Sequence, residues 1–321
     1  PDGSYTLEET AAPDGYTVIS AFHFTLENGV VTTDVAAETD GDVIYGTLKD
    51  EEGNTVTRAK LDESGNAVTD AEGNVIYEAV EDHSVLIVLD EASSITINKE
   101  AAGGEQLETD AEFTLKVSSG SVLAAAGVKV NGETLTENTQ GYDAKTNSYT
   151  FTGNQTEFVG LPDGTYELIE VAAPDGYTVV SSFEFVIKDG VITEIQAQTD
   201  GDAVYGKKAV LNEDGTEKTD ENGNVIYEDD LTKLIVLDQK STLTINKEAV
   251  GGAVLASDAE FKLSADDAQS LIGVTVAGHK ITEDDLNEDG SYTFTGNSTE
   301  IVGLPDGSYT LEETAAPDGY T

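Results

Sequence analysis

The sequence predicts an all-β fold built as tandem β-sandwich domains, and three observations carry that prediction. Short runs of alternating or continuous apolar residues recur along the whole chain, bounded by Gly, Asn or Asp. Helical periodicity is scarce, and a turn or two is expected only at Asp267–Leu271. Three anchor segments return in a fixed order, so an internal repeat sets the architecture. Many short strands with frequent turn signals describe sandwiches rather than helical or α/β layers.

The first anchor is YTLEETAAPDGY at residues 5–16, which returns as YELIEVAAPDGY at 166–177 and again unchanged at 309–320. Each copy starts as an alternating strand, with Tyr166, Leu168 and Glu170 on one face. Each ends where Pro stops the ladder and Asp-Gly turns the chain. The second anchor, LIVLD, occupies 86–90 and 234–238, and the third is SITINKEA at 94–101, echoed by TLTINKEA at 242–249. Their order leaves one complete unit, residues 91–240. It is flanked by the C-terminal part of a domain (1–90) and the N-terminal part of another (241–321). The segments Phe183–Ile187, Ser148–Thr152 and Glu112–Lys116 supply further strands. Residues 1–17 are identical to residues 305–321, so a longer product is expected to repeat a two-domain unit in an elongated array. In that reading both terminal parts are windows on a continuous array. Completion by separate chains would set two copies of the first anchor against one strand position.

Between the first and second anchors lie inserts built on Asp-x-x-Gly-Asn, at 50–54, 62–66, 70–74 and 220–224. These are expected to be hairpins with Gly at positive φ. Calcium is the functional alternative, but the spacing does not fit a twelve-residue loop closed by Glu, and turn chemistry alone explains the residues. His23, His83 and His279 are scattered and sit in no metal pattern, and no cofactor is expected.

Composition bounds the function. The 321 residues carry 63 Asp+Glu against 16 Lys+Arg, a formal net charge of -47, and a field of that sign repels nucleic acid and anionic membrane. With 38% hydrophobic residues the chain still has material for modest cores. There is no Cys, so no disulfide staples it. There is no Met, and no signal peptide or apolar run of membrane length, so the sequence reads as an excerpt of a larger product.

Period-2 arithmetic locates the chemistry. Ile95, Ile97 and Lys99 share a face, as do Leu243, Ile245 and Lys247; Leu234, Val236 and Asp238 share one, as do Leu86, Val88 and Asp90. A Lys, a Glu and an Asp therefore each end an apolar stripe, in three strands of one unit. If those stripes face a common core, Lys99, Glu170 and Asp238 meet in a poorly hydrated pocket. Desolvation there favours a neutral amine and a protonated carboxyl. A neutral amine is a nucleophile, a protonated acid has an attackable carbonyl carbon, and a second carboxyl can move the protons. The product is an amide and one water. The plainer reading is an ion network, or a Lys99 that reaches past the sandwich edge. One charge on an apolar face favours it; matched charges in three strands, twice over, do not. Asn98 and Asn246 sit beside the lysines on the opposite face and are expected to face solvent.

The first anchor also resembles the E-box of the B-type repeat domains of Gram-positive collagen adhesins and pilins, whose pattern Tyr-x-Leu-x-Glu-x-x-Ala-Pro-x-Gly-Tyr all three copies match. The resemblance implies a prealbumin-like, Ig-related sandwich with an intramolecular isopeptide. Carried over, Lys99 is the nucleophile, Asp238 the electrophile and Glu170 the catalytic acid/base. The partial domains supply Glu9 with Asp90, and Lys247 with Glu313. Asp stands where much of the family has Asn. The function implied is that of a structural repeat in a surface adhesin or pilus-like fibre, extracellular and partnered by further copies of itself. Such a repeat inserts in no membrane and turns over no substrate. A module binding a host ligand through the inserts, and a calcium-rigidified extender, are the alternatives.

Overall fold

The computed structural model describes residues 1–39, 41–196, 202–212 and 214–321. It divides into two compact units, Pro1–Ser93 and Ser94–Thr321.

The second unit opens with a full sandwich of two six-stranded sheets. One sheet runs, in spatial order, Glu133–Thr134, Lys129–Val130, Gln155–Val159, Ser94–Ala101, Tyr227–Asp238 and Ala203–Ala209. The facing sheet runs Tyr142–Asp143, Ser148–Thr152, Glu112–Gly120, Gly164–Ala172, Phe183–Lys188 and Val191–Gln196. The alternation in the sequence is the alternation in space: Ile95, Ile97, Leu234 and Val236 of one sheet and Phe113, Leu115, Tyr166, Leu168 and Phe185 of the other are buried in one core. All pairings are antiparallel except that of Ser94–Ala101 with Tyr227–Asp238, the first and last strands, which run parallel as neighbours. No turn can join parallel neighbours, so the whole domain lies between them in sequence.

The same unit continues into two smaller sheets over residues 241–321. One is ordered Thr242–Asn246, Ser298–Val302, Thr275–Val276, His279–Lys280; the other is Tyr292–Thr295, Glu260–Ala265, Tyr309–Ala315. The expected helical turn is a 3₁₀ turn at Ala268–Leu271, with the Asp267 carboxylate accepting the Gln269 N–H at 3.0 Å. At the joint with the full sandwich, Ser241 N donates to Gly176 O and Gly303 N to Ser241 O, both at 2.8 Å. Gly176 and Gly303 have φ of +84° and +80°, and a Cβ on Gly176 would stand 2.9 Å from the Gly303 carbonyl oxygen. Both backbone conformation and space therefore disfavour any residue but glycine at this Asp-Gly turn.

The first unit has a three-stranded antiparallel sheet (Gly3–Leu7, Phe22–Glu27, Val30–Val31) and the pair Val43–Thr47 with Glu81–Val88. Its buried core is small: Phe22, Val31, Val35 and Val43. The short helix Val35–Thr39 has no periodic signal in the sequence.

The inserts are hairpins, as the Asp-x-x-Gly-Asn pattern implies. Gly53, Gly65, Gly73 and Gly223 have φ between +82° and +88°. In each turn the leading Asp accepts two backbone N–H groups; Asp70 takes those of Glu72 at 3.0 Å and Asn74 at 2.8 Å. Three hairpin arms then close into rings of backbone hydrogen bonds. Val56 donates to Leu48, Val80 to Val56 and Leu48 to Val80, at 2.8–2.9 Å. The same cycle joins Lys60, Val68 and Ile76, and again Val210, Lys218 and Ile226. The rings satisfy backbone groups that an isolated hairpin would leave to water.

Candidate functional site

Three strands bring Lys99, Glu170 and Asp238 together. In the parallel pair Lys99 stands opposite Val236, so Asp238, two residues on, lies on the same face one step along. Glu170 comes from the facing sheet, where a register shift between Glu170 and Ala172 turns Val171 outward, 52% exposed, and ends the buried stripe at the carboxylate. Lys99 Nζ lies 2.9 Å from Glu170 Oε1 and donates a hydrogen bond to Asp238 Oδ1, and all three side chains are fully buried. The ammonium also sits 5.7 Å from the centre of the Phe113 ring. Glu170 is fixed from behind, its Oε2 accepting the Val180 N–H at 2.7 Å. Asp238 Oδ2 is buried and has no hydrogen-bond partner among the described residues.

One lysine thus faces two carboxyl groups, with no solvent to share the charge. Burial pushes the Asp238 carboxyl up to about 7; its contact with Lys99 opposes that rise and the neighbouring Glu170 adds to it. A neutral Asp238 beside an amine is an acid presented to a nucleophile, with a second carboxyl in reach of both. A buried ion triad is expensive to keep. Condensation would convert an ammonium and a carboxylate into a neutral amide, leaving one acid to hydrogen-bond it.

The remaining predicted residues are placed differently. Lys247 Nζ pairs with Glu313 Oε2 at 2.8 Å, but the two side chains are 26% and 28% exposed. Glu9 and Asp90 are half-buried, and Glu9 Oε2 accepts the Ile19 N–H at 2.9 Å, the same hold that Val180 has on Glu170. Of the three E-box acids expected on a core face, only Glu170 is enclosed. The reason is that, among the described residues, Thr242–Asn246 has no neighbour in the place that Tyr227–Asp238 takes beside Ser94–Ala101, and residues 1–93 have no counterpart of Ser94–Ala101. Asn98 departs from expectation, being half-buried rather than solvent-facing, because Gln155–Val159 and Tyr227–Asp238 flank its strand; Asn246, on an edge, is exposed.

Sequence reasoning missed the role of the motif's first residue. Tyr166 OH donates to the Pro162 carbonyl at 2.6 Å, Tyr5 to Pro1 at 2.6 Å and Tyr309 to Pro305 at 2.7 Å. The recurrence of Pro four residues before each Tyr was the available signal. Among the described residues, no group of His, Cys, Asp or Glu is arranged to hold a metal ion, and no helix is long and apolar enough to cross a membrane.

Comparison with known proteins finds several similar chains. The chain is similar to the C-terminal fragment of pilus adhesin SpaC from Lactobacillus rhamnosus GG, at 17% identity over 71% of this chain and 77% of that one, with a TM-score of 0.29. It is similar to the longer SpaC adhesin of the same organism at 16% identity, covering 94% of this chain but only 30% of that one, with a TM-score of 0.27. Against the shaft pilin SpaA, also from Lactobacillus rhamnosus GG, identity is 17% over 71% of this chain and 90% of the pilin, with a TM-score of 0.23. No curated protein matches. The model of the SpaA prealbumin-like fold domain matches residues 93–201 and 241–321, more than half of the sequence, and the chain belongs to that family.

Proposed function

We propose that this chain is a structural repeat from the shaft of a bacterial surface adhesin or pilus-like fibre, on the outside of the cell, held together by an isopeptide bond between Lys99 and Asp238. The carrying observation is the buried triad: one lysine amine within contact of both carboxyl groups, in a core closed to water. Lys99 is the nucleophile, Asp238 the electrophile and Glu170 the proton carrier. The reaction runs once per domain and leaves no site for turnover. Residues 91–240 form the complete domain, with parts of neighbouring domains on either side.

The topology gives the bond a mechanical meaning. Force entering a domain at its first strand and leaving at its last shears the parallel pair Ser94–Ala101 and Tyr227–Asp238. An amide between Lys99 and Asp238 carries that load covalently and shields the 139-residue separation behind it. Pulling the wild-type domain from its ends should give no extension from that segment. The unlinked Glu170→Gln variant should release about 470 Å of chain at ~3.4 Å per residue. Equal extension in both would remove the mechanical reading.

A second reading, a module that binds a host ligand through its inserts, is favoured by one observation. Tyr77 and Tyr227 are 64% and 61% exposed, and Leu61 and Leu211 of the same inserts are 57% and 59% exposed. Replacing both tyrosines with Ala should abolish binding to host matrix without changing the melting temperature if that reading holds.

A further inference from the structure

Three residues, Gln239–Ser241, separate the end of the last strand of the full sandwich at Asp238 from the strand Thr242–Asn246. A linker of that length is ordinarily a hinge, and relative motion of the domains it joins is the default expectation. Here its backbone is taken from both sides. Towards the full sandwich, the Thr178 N–H donates to Gln239 O at 3.0 Å and the Ser241 N–H to Gly176 O at 2.8 Å. Thr178 Oγ1 adds a bond to the same Gln239 carbonyl at 3.2 Å. Towards the sheets that follow, the Gly303 N–H donates to Ser241 O at 2.8 Å, and Ser241 Oγ donates to Leu304 O at 2.9 Å. Ser241 therefore commits its N–H to one domain and its carbonyl and hydroxyl to the other. Turning the chain about this residue breaks hydrogen bonds on one side or the other.

The groups that hold the linker on the sandwich side all lie in the second half of the repeated motif, APDGYT at 173–178. Its turn is braced by its own domain: the Tyr177 N–H donates to Pro174 O at 3.1 Å and the Asp175 N–H to Thr109 Oγ1 at 2.7 Å. The second brace recurs in the third copy, from the Asp318 N–H to Ser257 Oγ at 2.7 Å. The hold on the linker recurs as well, within residues 1–93. There the Thr17 N–H donates to Glu91 O at 3.0 Å, the Ser93 N–H to Gly15 O at 2.8 Å, and Thr17 Oγ1 to Glu91 O at 3.3 Å. The residues held differ, Glu-Ala-Ser in one place and Gln-Lys-Ser in the other. A hold repeated bond for bond over different side chains acts on backbone, so it belongs to the motif and not to one linker sequence.

Lys240 adds a side-chain contact to this hold. Its Nζ lies 2.8 Å from Glu105 Oε1, and Tyr177 OH donates to Glu105 Oε2 at 3.4 Å. The hydrogen bond from Lys240 holds the Glu105 carboxyl below the usual carboxylate range, and Lys280, from the sheets that follow, adds to the effect. Both partners are partly exposed, so this pair contributes less than the backbone bonds. We propose that APDGYT is a coupling seat for the following domain: by holding Gln239–Ser241 it makes residues 94–240 and 241–321 turn as one body, with Lys240 and Glu105 as a latch on that seat. One motif then has two duties, with Glu170 serving the buried triad and Gly176 to Thr178 the joint. The seat uses no atom of Lys99, Glu170 or Asp238 and stands whether or not a bond joins them. In a shaft, it places bending stiffness at the joint.

The chain has no Cys, so introduced cysteines carry spin labels at chosen positions alone. In the 321-residue chain, Glu133→Cys with Glu300→Cys spans the joint, and Glu133→Cys with Glu194→Cys lies within the full sandwich; all three positions are exposed. Pulsed dipolar spectroscopy should give a narrow distance distribution for both pairs. Gly176→Ala, whose new Cβ would stand 2.9 Å from the Gly303 carbonyl oxygen, should broaden the spanning pair and leave the sandwich pair narrow. Lys240→Ala combined with Ser241→Ala removes the latch and the Leu304 bond but no backbone bond, and should broaden the spanning pair less. Gly223→Ala, with the same φ of +84° in a hairpin, should change neither pair. A spanning pair already broad in the parent chain overturns the seat, and so does one that stays narrow in both joint variants. A double variant as narrow as the parent, beside a Gly176→Ala chain broadened only across the joint, overturns the latch alone. If Gly176→Ala broadens the sandwich pair too, the domain itself has loosened and the double variant decides: a broad spanning pair supports the seat, and a narrow one overturns it.

Discussion

Replacing Glu170 with Gln removes one ionisable proton carrier from the buried triad and little else. The amide oxygen of Gln can still accept the Val180 N–H that now reaches Glu170 Oε2 at 2.7 Å. Lys99 keeps Asp238 as its hydrogen-bond partner, so neither group is left without one. Losing the Lys99–Glu170 contact itself is close to neutral, since desolvation offsets most of a buried pair's attraction. What disappears is the cross-link. Residues 99 and 238 are 139 apart, and closing a loop of that length lowers the unfolded-chain entropy by about 5 kcal/mol at 25 °C on the chain-entropy model. For a domain of this size that corresponds to a fall in melting temperature of roughly 10–20 °C. Guanidinium titration supplies an independent reading, because an unlinked chain exposes more surface on unfolding and its m-value should rise. Lys116→Ala is the control: its pair with Glu167, at 2.8 Å, is partly exposed, and its loss should barely move the melting temperature. A Glu170→Gln protein that melts within a degree or two of wild type, with the same m-value, would rule out a cross-link that depends on Glu170.

Three further outcomes are expected from the geometry. In the unlinked Glu170→Gln chain, burial, the largest cause of the rise, still pushes the Asp238 carboxyl above the usual carboxylate range, so over the interval between its ordinary and its raised value the folded state holds the extra proton. Its stabilising contribution is present at low pH and lost as pH rises through that interval. Melts from pH 4 to pH 8 should show that slope in the variant and not in linked wild type, whose Asp238 carboxyl is consumed; parallel curves would contradict it. Gly176→Ala should destabilise by ~1–3 kcal/mol, because φ is +84° and the new Cβ meets the Gly303 carbonyl. Gly223→Ala, with the same φ and open space, isolates the backbone part, and equal losses would show that the contact at the joint is immaterial. Asp70→Ala should lower the melting temperature slightly by leaving the Glu72 and Asn74 N–H groups without their side-chain acceptor. The cost should be the same with calcium or with a chelator present, and a calcium-dependent melt would restore the metal reading of the inserts.

Much of the fold and of the site was legible because strand periodicity is a two-state code. Once Ile95, Ile97 and Lys99 are assigned to one face, burial of the lysine follows, and the same holds for Asp238 and Glu170. Repetition made the assignment firm, since a chance alternation is not copied in register elsewhere in the chain. The hairpin glycines were equally readable, their positive φ being a local property of Asp-x-x-Gly-Asn. What the sequence did not disclose depends on distant contacts. The rings joining Leu48, Val56 and Val80 link arms whose order in space no local pattern encodes. The parallel pairing of first and last strands is likewise a long-range outcome, and it is why Asn98 is shielded while Asn246 is not. The exposure of Glu313 and the half-burial of Glu9 reflect what surrounds a strand rather than the strand itself: identical motifs, different neighbours.

Intact mass of residues 91–240, expressed and folded without additives, reports whether Lys99 and Asp238 are joined. The expected mass is one water below that of the sequence, and the full sequence mass for Lys99→Ala, Asp238→Ala and Glu170→Gln. Fragmentation should place the missing water on a branched peptide containing Lys99 and Asp238. A folded wild-type domain at full sequence mass, or a water lost from any other pair of residues, would contradict the bond.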